Sequence, residues 1–175
     1  MFVSLRSLAL VVAVAAATSP ALASSEAASP KSMPWSFDGV FGYVDQASVQ
    51  RGFQVYKEVC SSCHSLSRVS FRQLTQVGFS EAEVKSLAAG YTVKDGPNDM
   101  GAMFERPGRA SDYFPSPYAN TNAARAANNG ALPPDQSLLV KARENGANYI
   151  YSILTGYNEP VPEHVSVPEG AYYNP

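Results

Sequence analysis

Apolar residues recur at helical spacing in several stretches of this chain, and longer segments without a regular period separate them. The clearest stretch covers residues 45–59, where apolar side chains fall three or four positions apart. These positions are Val49, Phe53, Tyr56 and Cys60. Asp45 or Ser48 can cap its start, because short polar side chains accept hydrogen bonds from free backbone N–H groups. The pattern predicts a long first helix that ends at the cysteine.

Further helices are predicted from signals at their ends. Ser80 and Glu83 form the S-x-x-E pattern of a capping box, so we expect a short helix there that ends at Gly90. Asp135 is expected to cap a helix over residues 136–144. Two more predicted helices cover residues 119–129, ended by Gly130, and 147–154, ended by Gly156. Residues 66–77 are expected to form an irregular connection.

Residues 92–117 show little periodicity and contain several proline and glycine turns. A connection this long within one domain is usually functional or disordered. Five aromatic residues argue against disorder because they need to be buried: Tyr91, Phe104, Tyr113, Phe114 and Tyr118. We therefore expect an ordered flap over a cofactor, or a docking surface. With no repeat and little strand signal elsewhere, the fold class predicted is mainly α with long ordered coil insertions.

Composition supports a domain built around a non-protein group. The 13 Pro, 12 Gly and 10 Tyr are many for a helical protein of 175 residues, and they suggest long coils wrapped around a cofactor. The formal net charge is −2 and no basic patch is present, which makes nucleic acid a poor partner. The single Trp, Trp35, is expected to pack against the body of the domain.

The first 23 residues resemble a secretory signal peptide. Arg6 precedes an unbroken apolar run over residues 8–17, and Ala21-Leu22-Ala23 is an A-x-A cleavage site. We predict cleavage after Ala23, which leaves residues 24–175 as the mature domain. A retained membrane anchor is the alternative, but the apolar run is short for a bilayer. A single Arg favours bacterial export over an Arg-rich mitochondrial presequence.

The most informative motif is C-x-x-C-H at Cys60, Cys63 and His64, the attachment signature of a c-type haem. Side chains three or four positions apart share a helix face, so both thiols can reach the two vinyl groups of one porphyrin. The imidazole that follows can then bind the iron from the same side. The motif predicts one covalent haem c per chain, with His64 as a metal ligand.

Three other sites can contain such cysteines. A zinc site needs four ligands, and the only Cys and His residues here are this motif and His164. A thioredoxin-like redox pair begins a helix after a strand, whereas this motif ends a helical pattern. A disulfide across two residues would close almost no loop.

Several stretches of the chain closely resemble the cytochrome c1 family, the haem-bearing subunits of the cytochrome bc1 complex. The matching stretches are RGFQVYKEVCSSCH at 51–64, DGPN at 95–98, SDYFP at 111–115, AARAANNGALPPD at 123–135 and LTGY at 154–157. The long run at 123–135 is far more specific than C-x-x-C-H. The resemblance implies a cytochrome c-like haem domain.

The resemblance also implies a function. The chain would carry electrons within ubiquinol–cytochrome c oxidoreductase, from the Rieske iron–sulfur protein to a soluble cytochrome c, beside cytochrome b. It would be an enzyme subunit without catalytic side chains of its own, since the haem carries the redox chemistry. The expected location is the bacterial inner membrane with the haem domain in the periplasm. The mitochondrial inner membrane, on the intermembrane-space side, is the alternative.

Site residues follow from the same resemblance. Cys60 and Cys63 would be the thioether anchors and His64 the proximal iron ligand. Arg143 matches an arginine that approaches a haem propionate, although an exposed helix arginine is often only solvated. Three further matches are a pocket amide, a proline wall and an aromatic beside the haem, where ordinary packing is the alternative: Asn128, Pro133 and Tyr149.

The sixth iron ligand departs from the family pattern. The family uses a methionine beyond the Tyr-Asn-Pro stretch, but this sequence stops at residues 173–175 and has no Met after Met103. We expect the chain to be the amino-terminal portion of a longer protein, whose remainder carries that ligand and a carboxy-terminal membrane helix. Met100 and Met103 are not expected to replace it, and His164 is the alternative ligand.

Other functional classes remain open at this point. A free periplasmic monohaem carrier would have no membrane helix beyond Pro175. A haem-based binder or sensor would need an open sixth site. A thiol–disulfide enzyme would lack haem altogether.

Overall fold

The computed structural model describes residues 28–157 and 159–175, and these are mainly helical. The α-helices are α1 (Gln46–Glu58), α2 (Glu81–Ala89), α3 (Thr121–Ala127), α4 (Leu139–Ala142) and α5 (Gly146–Gly156). Two 3₁₀ segments cover Cys60–Ser62 and Phe71–Val77, and strands β1 (Thr92–Asp95) and β2 (Phe104–Pro107) form one antiparallel hairpin. The predicted mainly α class is confirmed.

Residues Pro30–Asn174 form one unit. The other unit, Met1–Ser29 with Pro175, lies almost wholly outside the described residues. The predicted signal peptide falls there too, so cleavage after Ala23 stays a prediction.

Helix α1 begins as predicted. Asp45 is its N-cap, and the carboxylate accepts from the backbone N–H groups of Ala47 at 3.0 Å and Ser48 at 3.2 Å. Helix α2 begins with the predicted capping box of Ser80 and Glu83. Both starts depend on side chains within three residues, which is why sequence pattern alone finds them.

The hydrophobic core lies between the 3₁₀ helix Phe71–Val77, α2 and the segment that follows the hairpin. Its buried apolar residues are Phe71, Leu74, Val84, Ala88 and Phe114. The ring of Phe71 packs 4.2 Å from that of Phe114 and 5.1 Å from that of Tyr91. Phe53 of α1 packs against this cluster, which fixes the helix that leads into the cysteine motif.

The 3₁₀ helix Phe71–Val77 replaces part of the irregular connection that we expected over residues 66–77. Ser70 and Gln73 form a capping box, and Gly78 ends the helix in the left-handed region at φ 93°. The S-x-x-Q and glycine signals are present in the sequence. Phe71 and Leu74 are buried and Val77 packs against the same core, a spacing of three positions that fits the 3₁₀ helix.

The hairpin lies within residues 92–117, where we predicted an ordered flap. Its less exposed residues are Val93, Asp95 and Arg106, and because two of the three are charged, the usual alternation of apolar and polar residues is hidden. Arg106 of β2 pairs with Asp95 of β1 and, through Nη1 at 2.6 Å and Nη2 at 3.1 Å, with Asp112. The expected burial of the aromatic residues is wrong for two of them, since Phe104 and Tyr113 are exposed.

Two of the three predicted helices of the second half are shortened, whereas the one expected over 147–154 is present as Gly146–Gly156. The helix expected over 119–129 covers only Thr121–Ala127, with Asn120 as N-cap. The helix expected over 136–144 shrinks to the four residues of α4. Asp135 does not cap it: the carboxylate accepts from the Ser137 N–H before the helix begins and from Ser65 and Ser67 of a distant segment. Leu138, next to the start of the helix, is exposed.

Candidate functional site

The C-x-x-C-H motif forms a tight turn directly after α1. The N–H groups of Cys63 and His64 both donate to the Cys60 carbonyl oxygen, at 3.1 and 2.8 Å. The two cysteines are half-buried and are not joined by a disulfide. The motif therefore presents two free thiols and one imidazole within five residues.

The His64 ring is fixed by a residue 70 positions away. Its Nδ1–H donates to the Pro134 carbonyl oxygen at 2.9 Å. A carbonyl only accepts, so Nδ1 carries the proton and Nε2 of the neutral ring has a free lone pair. This arrangement suits metal binding through Nε2.

Tyr56 packs beside the motif, and its hydroxyl donates to the His64 carbonyl oxygen at 3.2 Å. Burial raises the pKa of Tyr56 to about 12, so the phenol stays protonated and remains a donor. The last turns of α1 therefore hold the backbone of the motif from one side.

A cavity of about 230 Å³ lies against Cys63. Pro133, predicted as part of a wall, does line it, together with Pro117, Tyr118, Ala124 and Leu132. Asn128 does not line the cavity. Its Nδ2 donates to the Tyr118 hydroxyl at 3.1 Å and to the Ala124 carbonyl at 2.7 Å, so it supports two wall residues from behind.

Arg143 and Tyr149 are brought together, although neither lines this cavity. The guanidinium carbon of Arg143 lies 5.7 Å from the centre of the Tyr149 ring, close enough for a cation–π contact. Arg143 is exposed and follows α4, while Tyr149 lies in α5. The pair offers a positive charge held beside an aromatic face.

The predictions missed a polar cluster centred on Asp135. Its Oδ2 accepts from Ser65 Oγ at 2.8 Å, Ser67 N at 3.0 Å and Ser67 Oγ at 2.6 Å, and its Oδ1 accepts from Ser137 N at 2.8 Å. Burial tends to raise the pKa of Asp135, but the donors from Ser137 and Ser67 outweigh it and lower the pKa. The local Asp-x-Ser spacing could suggest the turn, but nothing local points to Ser65 or Ser67.

The amino-terminal segment packs on α5, which confirms the expectation for Trp35. Its indole N–H donates to the Asn148 side-chain oxygen at 2.7 Å, and its ring packs edge-on against Tyr151 at 5.9 Å. This contact fixes the helix that carries Tyr149.

His164, the alternative iron ligand, and the two methionines that are not expected to replace it lie on exposed loops. Met100 and Met103, between the two strands, are 88% and 63% exposed, and His164 is exposed in a turn. None of the three lines the cavity beside Cys63. Across residues 28–157 and 159–175, no three side chains from His, Cys, Asp and Glu come together as a metal site.

Among the described residues, no helix has the length and apolar character that crossing a bilayer requires.

The chain matches the model of the "Cytochrome C1 family" over residues 35–175. It is 56% identical over 142 residues to "Cytochrome c1 1, heme protein, mitochondrial" of Arabidopsis thaliana, covering 81% of this chain and 46% of that relative. It is 51% identical to "Cytochrome b/c1" of Bradyrhizobium diazoefficiens, covering 83% of this chain and 24% of the relative. It is 50% identical to "Cytochrome b-c1 complex catalytic subunit, mitochondrial" of Candida albicans, covering 83% and 51%.

These matches confirm the resemblance read from the sequence motifs. The chain spans about half the length of the mitochondrial relatives and a quarter of the bacterial one.

Proposed function

Because the chain belongs to the cytochrome c1 family, we propose that it carries one haem c, held by Cys60 and Cys63 through thioether bonds. His64 is the proximal iron ligand. The observation that carries this proposal is the turn of the motif, in which two free thiols stand beside an imidazole whose Nδ1 is already bonded to Pro134.

The residues present fit such a group. The two thiols are free to add to porphyrin vinyl groups, and Nε2 of His64 is the lone-pair donor that iron requires. The cavity beside Cys63 has both apolar walls of proline, leucine and alanine and polar ones of serine, threonine and asparagine. At about 230 Å³ it is smaller than typical ligand pockets of roughly 300–1,000 Å³. The described residues therefore line one part of the haem site.

When bound, the haem supplies one-electron redox chemistry, and the chain supplies attachment, orientation and charge. We propose that the whole protein carries electrons within ubiquinol–cytochrome c oxidoreductase, from the Rieske iron–sulfur protein to soluble cytochrome c, in a complex with cytochrome b. The names of the Bradyrhizobium and Candida relatives support this role. Net charge −2 would attract a basic cytochrome c, so added salt should slow its reduction.

Four side chains receive supporting roles in the proposal. Arg143 binds a haem propionate, because a guanidinium is always charged and binds carboxylates in a bidentate manner. Tyr149 positions that guanidinium through the cation–π contact. Pro133 excludes water on the Cys63 side, and Asn128 holds the Tyr118 wall in place.

The proposed location follows the relatives and the signal segment. We place the whole protein at the bacterial inner membrane with this domain in the periplasm, anchored by a helix outside the present sequence. The mitochondrial inner membrane is the alternative, since the Arabidopsis and Candida relatives are mitochondrial.

The test is covalent haem attachment. The chain should be produced with a c-type haem maturation system and extracted with acidic acetone, and its pyridine haemochrome spectrum recorded. We expect the haem to stay with the protein and the α-band to have the position of a thioether-linked haem.

A Cys60→Ala, Cys63→Ala double variant should lose all covalent haem, while Ser61→Ala, a control between the two cysteines, should retain it. A colourless wild-type chain with both thiols free by mass spectrometry would refute the proposal.

A further inference from the structure

We propose that Asp135 is a positioning residue for the proximal histidine, because it fixes the Pro134 carbonyl that accepts the His64 Nδ1–H. The inference rests on the proposed haem function. Asp135 does not touch His64; it acts through the segment that carries the acceptor.

Two segments of the chain, residues 64–68 and 133–137, are joined by a ladder of hydrogen bonds. Besides the bonds to Asp135, the Gln136 N–H donates to the Ser65 carbonyl at 2.9 Å and the Arg68 N–H donates to Ser137 Oγ at 3.0 Å. His64 and Pro134 stand at one end of this ladder. The position of the Pro134 carbonyl therefore depends on the ladder.

Pro133 and Pro134 cannot hold themselves in place by donating. Neither has a backbone N–H, so this part of the segment contributes no donor of its own. The next residue, Asp135, makes four of the contacts that join or shape the two segments. Removing them would leave three hydrogen bonds between the segments: Gln136 N–H to the Ser65 carbonyl, Arg68 N–H to Ser137 Oγ, and the His64–Pro134 bond itself.

A carboxylate is the side chain that these donors require. Three donors converge on Oδ2 alone, two from hydroxyls and one from a backbone N–H. Hydrogen bonds to an ionised acceptor are roughly twice as strong as neutral ones. An asparagine would have to place its NH₂ against donors on one side or the other. It cannot satisfy Oδ1 and Oδ2 contacts together.

The consequence concerns the electron density that His64 offers to iron. An imidazole whose Nδ1–H is bonded to a carbonyl is a more basic ligand at Nε2, and it is held in one orientation. A more basic ligand favours ferric over ferrous iron. If the Pro134 carbonyl moves away, His64 becomes a less basic ligand. The ferrous form is then stabilised relative to the ferric form, and the midpoint potential rises.

The experiment uses the haem-loaded chain with excess imidazole, which gives every variant the same sixth ligand. The variants are Asp135→Asn and the double change Ser65→Ala with Ser67→Ala. The double variant keeps the carboxylate and its charge, so it separates positioning from electrostatics. Asp99→Asn, an exposed carboxylate on the hairpin loop, is the matched control.

Two quantities are measured in each variant: the midpoint potential, and the rate at which the His64 Nδ1 proton exchanges with water in the ferrous form. We expect Asp135→Asn to raise the ferrous-to-ferric ratio at a fixed potential about tenfold, which corresponds to a rise in midpoint potential of about 59 mV for one electron. The serine double variant should also raise the midpoint potential, but its change in the ferrous-to-ferric ratio should be severalfold smaller. In both, the Nδ1 proton should exchange faster, and Asp99→Asn should change neither quantity.

The proposal is wrong if the serine variant and Asp135→Asn leave the Nδ1 proton exchange unchanged. A potential shift in Asp135→Asn alone would then reflect only the lost charge. Failure of the proposed function would be seen separately, as a chain without covalent haem. In that case the folded haem-free chain is tested by ¹⁵N NMR. The Nδ1–H tautomer of His64 should predominate in the wild type and decline in Asp135→Asn, and a predominant Nε2–H tautomer in the wild type would overturn the proposal.

Discussion

Two regions of the molecule are held together differently. The core region, residues 66–114, buries its aromatic and aliphatic side chains against one another, with Phe71 0% and Phe114 3% exposed. In the outer region, residues 128–157, Gly156 is the only buried residue, and hydrogen bonds from Trp35, His64 and Ser65 join the region to the rest of the chain. The comparison indicates that the core region folds on apolar burial, whereas the outer region depends on polar contacts and on the haem that we propose.

The largest expected effect comes from removing an aliphatic side chain that is buried in the core region and half-buried in the outer region. Leu74→Ala should lower the free energy of unfolding by about 2–5 kcal/mol, because Leu74 is 6% exposed and its removal leaves a cavity. Ile150→Ala, an equal loss of side chain on the half-buried α5, should cost about 1 kcal/mol in the haem-free chain. Urea denaturation measures both. Equal losses would remove the distinction between the regions.

A smaller effect is expected where the core region leaves no room for a methyl group. A Cβ on Gly108 would lie 2.6 Å from the Ala88 carbonyl oxygen, so Gly108→Ala should cost about 1–3 kcal/mol through overpacking. Gly52 in α1 has nothing within 4 Å of its Cβ position. Gly52→Ala should instead stabilise by about 0.5–1 kcal/mol through helix propensity. Thermal unfolding of the two variants should show shifts of opposite sign.

Acid should weaken the core region through its charged hairpin. The hydrogen bonds from Arg106 lower the pKa of Asp112 from 3.8 to about 2 in the folded chain. A depressed folded pKa contributes stability that is complete above about pH 4 and is lost as the pH falls through about 2. The same guanidinium lowers the pKa of Asp95.

Asp112→Asn should cost about 1.5–3 kcal/mol at neutral pH, the range for hydrogen bonds to charged groups. Its unfolding free energy should then fall less steeply than that of the wild type between pH 4 and pH 2. Parallel pH profiles would contradict the assignment.

The smallest effect is expected at an exposed ion pair that joins the amino-terminal segment to the residues after α5. Lys31 Nζ lies 2.8 Å from Glu159 Oε1, and both side chains are more than 40% exposed. Glu159→Gln should change the unfolding free energy by at most about 1 kcal/mol, and added salt should erase the difference. Asn148→Ala, which removes the acceptor of the Trp35 indole, should cost more. A larger loss in Glu159→Gln than in Asn148→Ala would show that the ion pair, and not the Trp35 hydrogen bond, holds the amino-terminal segment.

Sequence pattern predicted the elements whose signals are local. Helices α1 and α2 begin where Asp45 and Ser80 indicate, because a cap acts within three residues. The hairpin was missed because Arg106, one of its less exposed residues, is charged and has its partners Asp95 and Asp112 11 and 6 positions away. The helix expected after Asp135 was too long because that carboxylate binds Ser65 and Ser67 of a distant segment as well as the Ser137 N–H, and the helix begins only at Leu139.

The candidate site divides in the same way. Its reactive groups could be identified from the sequence, since Cys60, Cys63 and His64 lie within one five-residue motif. What holds them could not, because the acceptor for His64 comes from Pro134 and is placed by Asp135.

The sequence by itself determined the chemistry of this protein: a pair of thiols and an imidazole at fixed spacing, and the family to which they belong. Only the tertiary structure decided how that imidazole is oriented, which walls face the thiols, and that Arg143 lies beside Tyr149. The physical reason is the separation along the chain over which each interaction acts. Caps and covalent motifs act over a few residues, whereas a hydrogen bond between residues 64 and 134 forms only after packing has set the path of the chain between them.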